Sequence, residues 1–201
     1  SASDPDPTRY KPDVYCADML SLLDGLSLPQ VIAVGTSMGG IMTFILANMR
    51  PGLFKAAIIN DIGPEVDPAG LRRLGRYVGQ AMSFSSWDAA VAAIQSQGPD
   101  IFPDFTTDDW HAFARNVCAQ APDGTVRFAY DPAIGDSLKD QDPSAVPPNL
   151  WPLFQKPSDF PMLIIRGETS DILSAETAAR MVSDRSNVTV ATVPHRGHAP
   201  T

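Results

Sequence analysis

Basic residues are few: Lys and Arg together number 15 against 23 Asp and Glu, a formal net charge of −8. With no basic run in the chain, neither nucleic acid phosphates nor an anionic membrane surface is an expected partner. Cysteine is scarcer still, at two (Cys16 and Cys118), too few for a disulfide-stapled secreted domain. No CxxC and no His/Cys cluster has zinc-site spacing, and neither a metal nor an organic cofactor is expected. The apolar runs fall far short of the roughly 20 residues that span a bilayer. No signal peptide is visible, and the cytoplasm is the expected location. Histidine occurs three times, at His111, His195 and His198.

What is there is an alternation. Val14, Met19, Leu22, Leu23 and Leu26 have helical spacing after a polar, proline-bearing start at residues 1–12. Gln30–Gly35 (QVIAVG) reads as a buried parallel strand, Met38–Arg50 as a helix, and Phe54–Asp61 as a second strand. The pattern returns with a strand at Phe160–Gly167, a helix at Ser174–Arg185 capped by Ser174, and a last strand at Asn187–Pro194. Between these halves lie short amphipathic pieces at Ala69–Met82, Trp87–Gln97 and Asp108–Gln120, without buried-strand runs. The expectation is an α/β fold with a parallel sheet. Its division is residues 1–62 and 158–201 as core, with a mainly helical insertion at 63–157.

Gly35-Thr36-Ser37-Met38-Gly39 matches G-x-S-x-G between a predicted strand and a predicted helix. Such a turn projects the Ser37 hydroxyl above the sheet. Side chains at 35 and 39 are expected to collide with the strand and helix. The Met38 N–H, at the helix N-terminus, is placed to donate to a developing oxyanion. A phosphate loop would need G-x-x-x-x-G-K-[ST], and no lysine follows.

A serine needs a base, and the base an orienting acid. His198, in the Gly-His pair of VPHRGHAP, is favoured over His195, and His111 falls mid-helix in the insertion. The acid is sought on the loop after the strand preceding the histidine, RGETSDILS, where Asp171 is favoured over Glu168. The expected catalytic set is therefore Ser37, Asp171 and His198, with Met38 supplying one oxyanion donor.

These three segments, VIAVGTSMGG, MLIIRGETSDILS and VPHRGHAP, resemble the nucleophile, acid and histidine segments of the α/β-hydrolase superfamily. The elbow is similar to that of capped C–C hydrolases, enol-lactonases, small carboxylesterases and cofactor-free haloperoxidases. NDIGPEVDP (Asn60–Pro68) also resembles the stretch leading into the cap. The resemblance implies a serine hydrolase acting through an acyl-enzyme on a small-to-medium ester, lactone or C–C bond beside a ketone. It further implies a fragment lacking N-terminal strands, a closing C-terminal helix and the second oxyanion donor. A perhydrolase of the same fold and a non-catalytic small-molecule binding protein are the alternatives. A homo-oligomer stays open. The cap aromatics Phe84, Trp87, Trp110, Phe113 and Trp151 are candidate pocket walls or packing residues. The pair Arg72-Arg73 is a candidate for a substrate carboxylate or a solvated helix face.

Overall fold

The computed structural model describes the chain except residues 1, 2, 5, 76, 77, 80, 98–100, 136–147, 157, 158 and 201. Its main sheet is parallel, with strands β1 (Val31–Thr36), β2 (Phe54–Asn60), β6 (Met162–Gly167) and β7 (Val188–Val193) in the order β1-β2-β6-β7. Parallel neighbours require crossovers. Helix α2 (Met38–Met49) joins β1 to β2, and α7 (Ala175–Asp184) joins β6 to β7. Ser174 caps α7 by accepting from Thr177 N. Helix α1 (Pro12–Gly25) begins with proline at its first turn, where a missing N–H costs nothing, and packs against α2.

The central strands carry the sheet's most buried residues. Ile59 on β2 and Ile164 on β6 are fully buried, as are Leu53, Ile172, Leu173 and Met181 around them. Each such side chain contributes about 1.5–3 kcal/mol through loss of apolar surface to water. The β1 side is different: Ile32 and Val34 are exposed.

A second apolar cluster forms within residues 82–128. It joins α4 (Trp87–Gln97) and α5 (Thr107–Val117) through Trp110, Ala114, Ala90, Val91 and Phe102. A Thr106–Asp109 capping box starts α5. The sequence reading missed one feature here. β3 (Ser83–Phe84), β4 (Cys118–Gln120) and β5 (Val126–Phe128) make a small antiparallel sheet in the order β3-β5-β4. The strands are only two or three residues long, so they leave no periodic signature, and Cys118–Gln120 reads as the end of the preceding helix. The short helix α6 (Trp151–Phe154), inside the expected insertion, belongs to the first cluster, where Phe154 meets Phe44 edge-on. The boundary at 157/158 lies outside the described residues.

Cys16 and Cys118 are buried free thiols, and burial pushes Cys16 up to about 11. Among the described residues, no helix is long and apolar enough to cross a membrane.

Candidate active site

The strands bring their C-terminal ends together, and the chemistry-bearing residues follow those ends. Ser37 succeeds β1 with φ 50° and ψ −113°, a strained turn between strand and helix. Its N–H donates to the Asn60 carbonyl at 3.0 Å, which ties the turn to β2. Gly35 is required because a Cβ there would run into the Gly39 carbonyl. The expectation for Gly39 is corrected: a Cβ at 39 meets nothing. The crowded position is Gly40, where a Cβ would strike Ile62 and Ile59. Helix α2 can thus lie close over β2, with Met38 as its first residue.

His198 follows β7 on the last loop, and its side chain is 8% exposed. Nε2 lies 3.0 Å from Ser37 Oγ, and Nδ1 lies 2.8 Å from Asp61 Oδ2. A carboxylate only accepts, so the Nδ1 proton points at Asp61 and Nε2 is left free to accept from the serine. Sequence reasoning proposed Ser37 and His198, and the structure brings them together.

The aspartate that meets the imidazole is not the expected Asp171. Asp61, directly after β2, is fully buried and holds the imidazole. Its N–H donates to Ile165 O at 2.8 Å, and φ is 56°, a conformation Asp tolerates better than most residues. Three donors converge on the carboxylate. Gly167 N–H reaches Oδ1 at 2.8 Å, Ser170 Oγ–H reaches Oδ2 at 2.5 Å, and His198 supplies the third. Those bonds replace the water a buried carboxylate loses. Ser170 is directed by its own surroundings: its Oγ accepts from Ile172 N (3.2 Å) and Leu173 N (3.1 Å), so its proton goes to Asp61.

Asp171 turns the other way. Its carboxylate takes a two-pronged bond from Arg73, with Nε at 2.5 Å and the second prong at 2.9 Å. That guanidinium holds Asp171 below the usual carboxylate range. The loop is fixed in this pose by α3 (Pro68–Leu74). Asp67 N–H donates to Ile172 O at 3.1 Å, and Gly70 presses so closely on the Asp171 carbonyl that no Cβ fits. Arg73 therefore serves Asp171, and the Asp171 side chain remains 37% exposed.

The remaining candidates lie off this series. His195 is 81% exposed, its Nδ1 3.6 Å from Glu168, whose Oε2 also accepts from the His195 N–H. His111 sits 3.5 Å from Asp88. Trp110 and Phe113 are packing residues of the second cluster with Phe102 and Phe105, and Trp151 packs in the first with its indole N–H on Glu65.

A strained serine between strand and helix, a histidine on its hydroxyl, and a buried aspartate after the neighbouring strand together narrow the fold family. The sequence profile of the alpha/beta hydrolase family matches residues 2–201. The chain belongs to that family. It is similar to a crystal structure of an alpha/beta hydrolase from Novosphingobium aromaticivorans, at 40% identity and TM-score 0.90, covering 98% of this chain and 69% of that one. The 3-hydroxybutyrate-oligomer hydrolase of Cupriavidus necator is 31% identical over 202 residues, covering 98% of this chain and 68% of the relative. The 2-(acetamidomethylene)succinate hydrolase of Mesorhizobium japonicum is 25% identical over 197 residues, with 98% and 67% covered. The chain thus spans about two thirds of the length of each. Family and named relatives place it among the hydrolases.

Sequence reasoning missed Asp61 and Ser170. Asp61 still falls between Ser37 and His198 in the chain. A carboxylate immediately after a buried strand next to the strand that precedes Ser37 was the available signal.

Proposed function

We propose that this chain carries the active site of a serine hydrolase, with Ser37 as nucleophile, His198 as base and Asp61 as the orienting acid. His198 Nε2 takes the Ser37 proton as Oγ attacks a carbonyl carbon. The Met38 N–H, at the positive end of α2, is one donor to the oxyanion. His198 then gives its proton to the leaving group, and an acyl-enzyme remains. Water, deprotonated by the same Nε2, attacks the acyl carbon and regenerates Ser37. Asp61 keeps the Nδ1 proton in place and stabilises the imidazolium without taking that proton.

The single observation that carries this reading is the continuous series Ser37–His198–Asp61, at 3.0 and 2.8 Å. A binding protein has no use for that bonded series, so the catalytic reading is preferred. The substrate class is a small-to-medium ester, lactone or C–C bond beside a ketone. The kinship with an oligomer hydrolase makes short hydroxyacyl esters the first to try. The segment around residues 82–128 is assigned as the cap, set beside the histidine loop.

The test is hydrolysis of p-nitrophenyl acetate, p-nitrophenyl butyrate and a 3-hydroxybutyrate dimer by the protein, Ser37→Ala and His198→Ala. Loss of about 10⁴-fold or more in both variants is the expected result. Equal rates in all three proteins, with no phosphonate label on Ser37, would overturn it.

A further inference from the structure

His198 sits on a loop held from two sides. On the core side, Thr169 N–H donates to Arg196 O at 2.9 Å, and Asn60 Nδ2 donates to Pro200 O at 2.9 Å. On the other side the partners come from the second cluster. Arg196 clasps Asp104 with both terminal nitrogens, at 2.6 and 3.0 Å. Gly197 N–H donates to Ile101 O at 3.1 Å. A Cβ at Gly197 would crowd Ile101, so the two backbones lie in close approach. The donating segment is itself anchored. Phe102 is buried, stacks on Phe105 with centroids 4.3 Å apart, and meets Trp110 edge-on.

The clasp is asymmetric. The Arg196 side chain is only 16% exposed, whereas Asp104 is 64% exposed. Among the described residues, Arg196 Nε is buried with no hydrogen-bond partner, and Asp104 is the carboxylate that compensates this cation. Arg196 in turn holds Asp104 below the usual carboxylate range. Removing the carboxylate leaves a mostly buried guanidinium unpaired, and such a group moves toward water. It cannot move alone, because His198 is two residues along and Gly197 between them is bonded to Ile101. The hydroxyl and imidazole must meet at hydrogen-bond distance for proton transfer, and small misplacements there are costly.

We propose that Asp104 and Arg196 are positioning residues that lock the histidine loop to the 101–105 segment, so that His198 faces Ser37 only while that segment is seated. The cap then does more than surround a substrate: its seating completes the base. This rests on His198 being the base.

The test compares Asp104→Ala, Arg196→Ala, the double variant and the charge swap Asp104→Arg/Arg196→Asp with wild type and His198→Ala, on p-nitrophenyl butyrate. Each single variant should lower kcat about 10- to 100-fold with little change in KM. The double variant should be no worse than the worse single one, because both remove the same contact. The charge swap should recover part of the loss. A readout independent of turnover is the low-field proton resonance of His198 Nδ1–H, which should weaken or shift in Asp104→Ala and stay in Asp171→Asn. Kinetics are read well below each variant's thermal midpoint. A lowered midpoint with unchanged kcat and an unchanged Nδ1 proton would overturn the lock, as would fully additive losses in the double variant. If Asp104→Ala matches wild type while His198→Ala is inactive, the lock fails and the base assignment stands. If His198→Ala keeps wild-type activity, the base assignment fails, and the lock with it.

Discussion

Two aspartates stand at the ends of two neighbouring central strands, and they have opposite surroundings. Asp61, after β2, is fully buried under three donors, one of them His198. Asp171, four residues past the end of β6, is partly exposed and clasped by a single arginine. The residue type is the same and both follow the nucleophile in the chain. The difference is which side chain the β6–α7 loop turns inward. It turns Ser170 inward, onto Asp61, and Asp171 outward, onto Arg73. On the proposed reading, the orienting acid is the aspartate on which the donors converge, the imidazole among them.

The largest break in this comparison comes from Asp61→Asn. The amide can no longer hold the Nδ1 proton as an acceptor-only group, so the imidazole loses its tautomer. We expect kcat to fall by about 10³–10⁴-fold, with KM changed little, measured on p-nitrophenyl butyrate. Next in size is Gly70→Ala. Its methyl would strike the Asp171 backbone and force α3 away from the loop that also carries Ser170. A loss of about 1–3 kcal/mol in denaturant unfolding is expected. The same substitution at Gly39, where a Cβ meets nothing, should leave stability equal or better by about 0.5–1 kcal/mol.

The smallest effect belongs to Asp171→Asn. Activity should stay within about threefold of wild type, and stability at pH 7 should drop by less than about 1 kcal/mol, since the pair is partly exposed. The sign with pH follows from the Arg73 bond, which lowers the folded-state pKa of Asp171. The contribution is therefore fully present above the unfolded value of about 3.9 and fades as pH falls through the lower folded value. Wild type and Asp171→Asn should differ equally at pH 7 and 5 and converge in strong acid. Urea midpoints across that range check it.

The same pair of aspartates shows what was legible in the sequence. Hydrophobic periodicity located β1, β2, β6 and β7 to within a residue or two, because each is a short apolar run bounded by turn residues. The serine elbow was legible because sterics dictate glycine at Gly35. Which aspartate meets the imidazole was not, since Asp61 and Asp171 carry the same local signal of a carboxylate beyond a buried strand. What separates them is tertiary: a Ser170 hydroxyl and a Gly167 amide arriving from β6, and Arg73 arriving from α3. The antiparallel sheet of the 82–128 segment was hidden for a different reason, its strands being too short for a period to emerge. Ser37→Ala and His198→Ala cannot distinguish the two aspartates, which is why acid variants are needed.

The most direct test is the rate at which an active-site-directed phosphonate labels Ser37 in wild type, Asp61→Asn and Asp171→Asn. Labelling needs the serine, its base and the base's orienting acid, and no particular substrate. The account predicts a wild-type rate in Asp171→Asn and a fall of about 10³-fold or more in Asp61→Asn. A wild-type rate in Asp61→Asn together with a collapse in Asp171→Asn would contradict it.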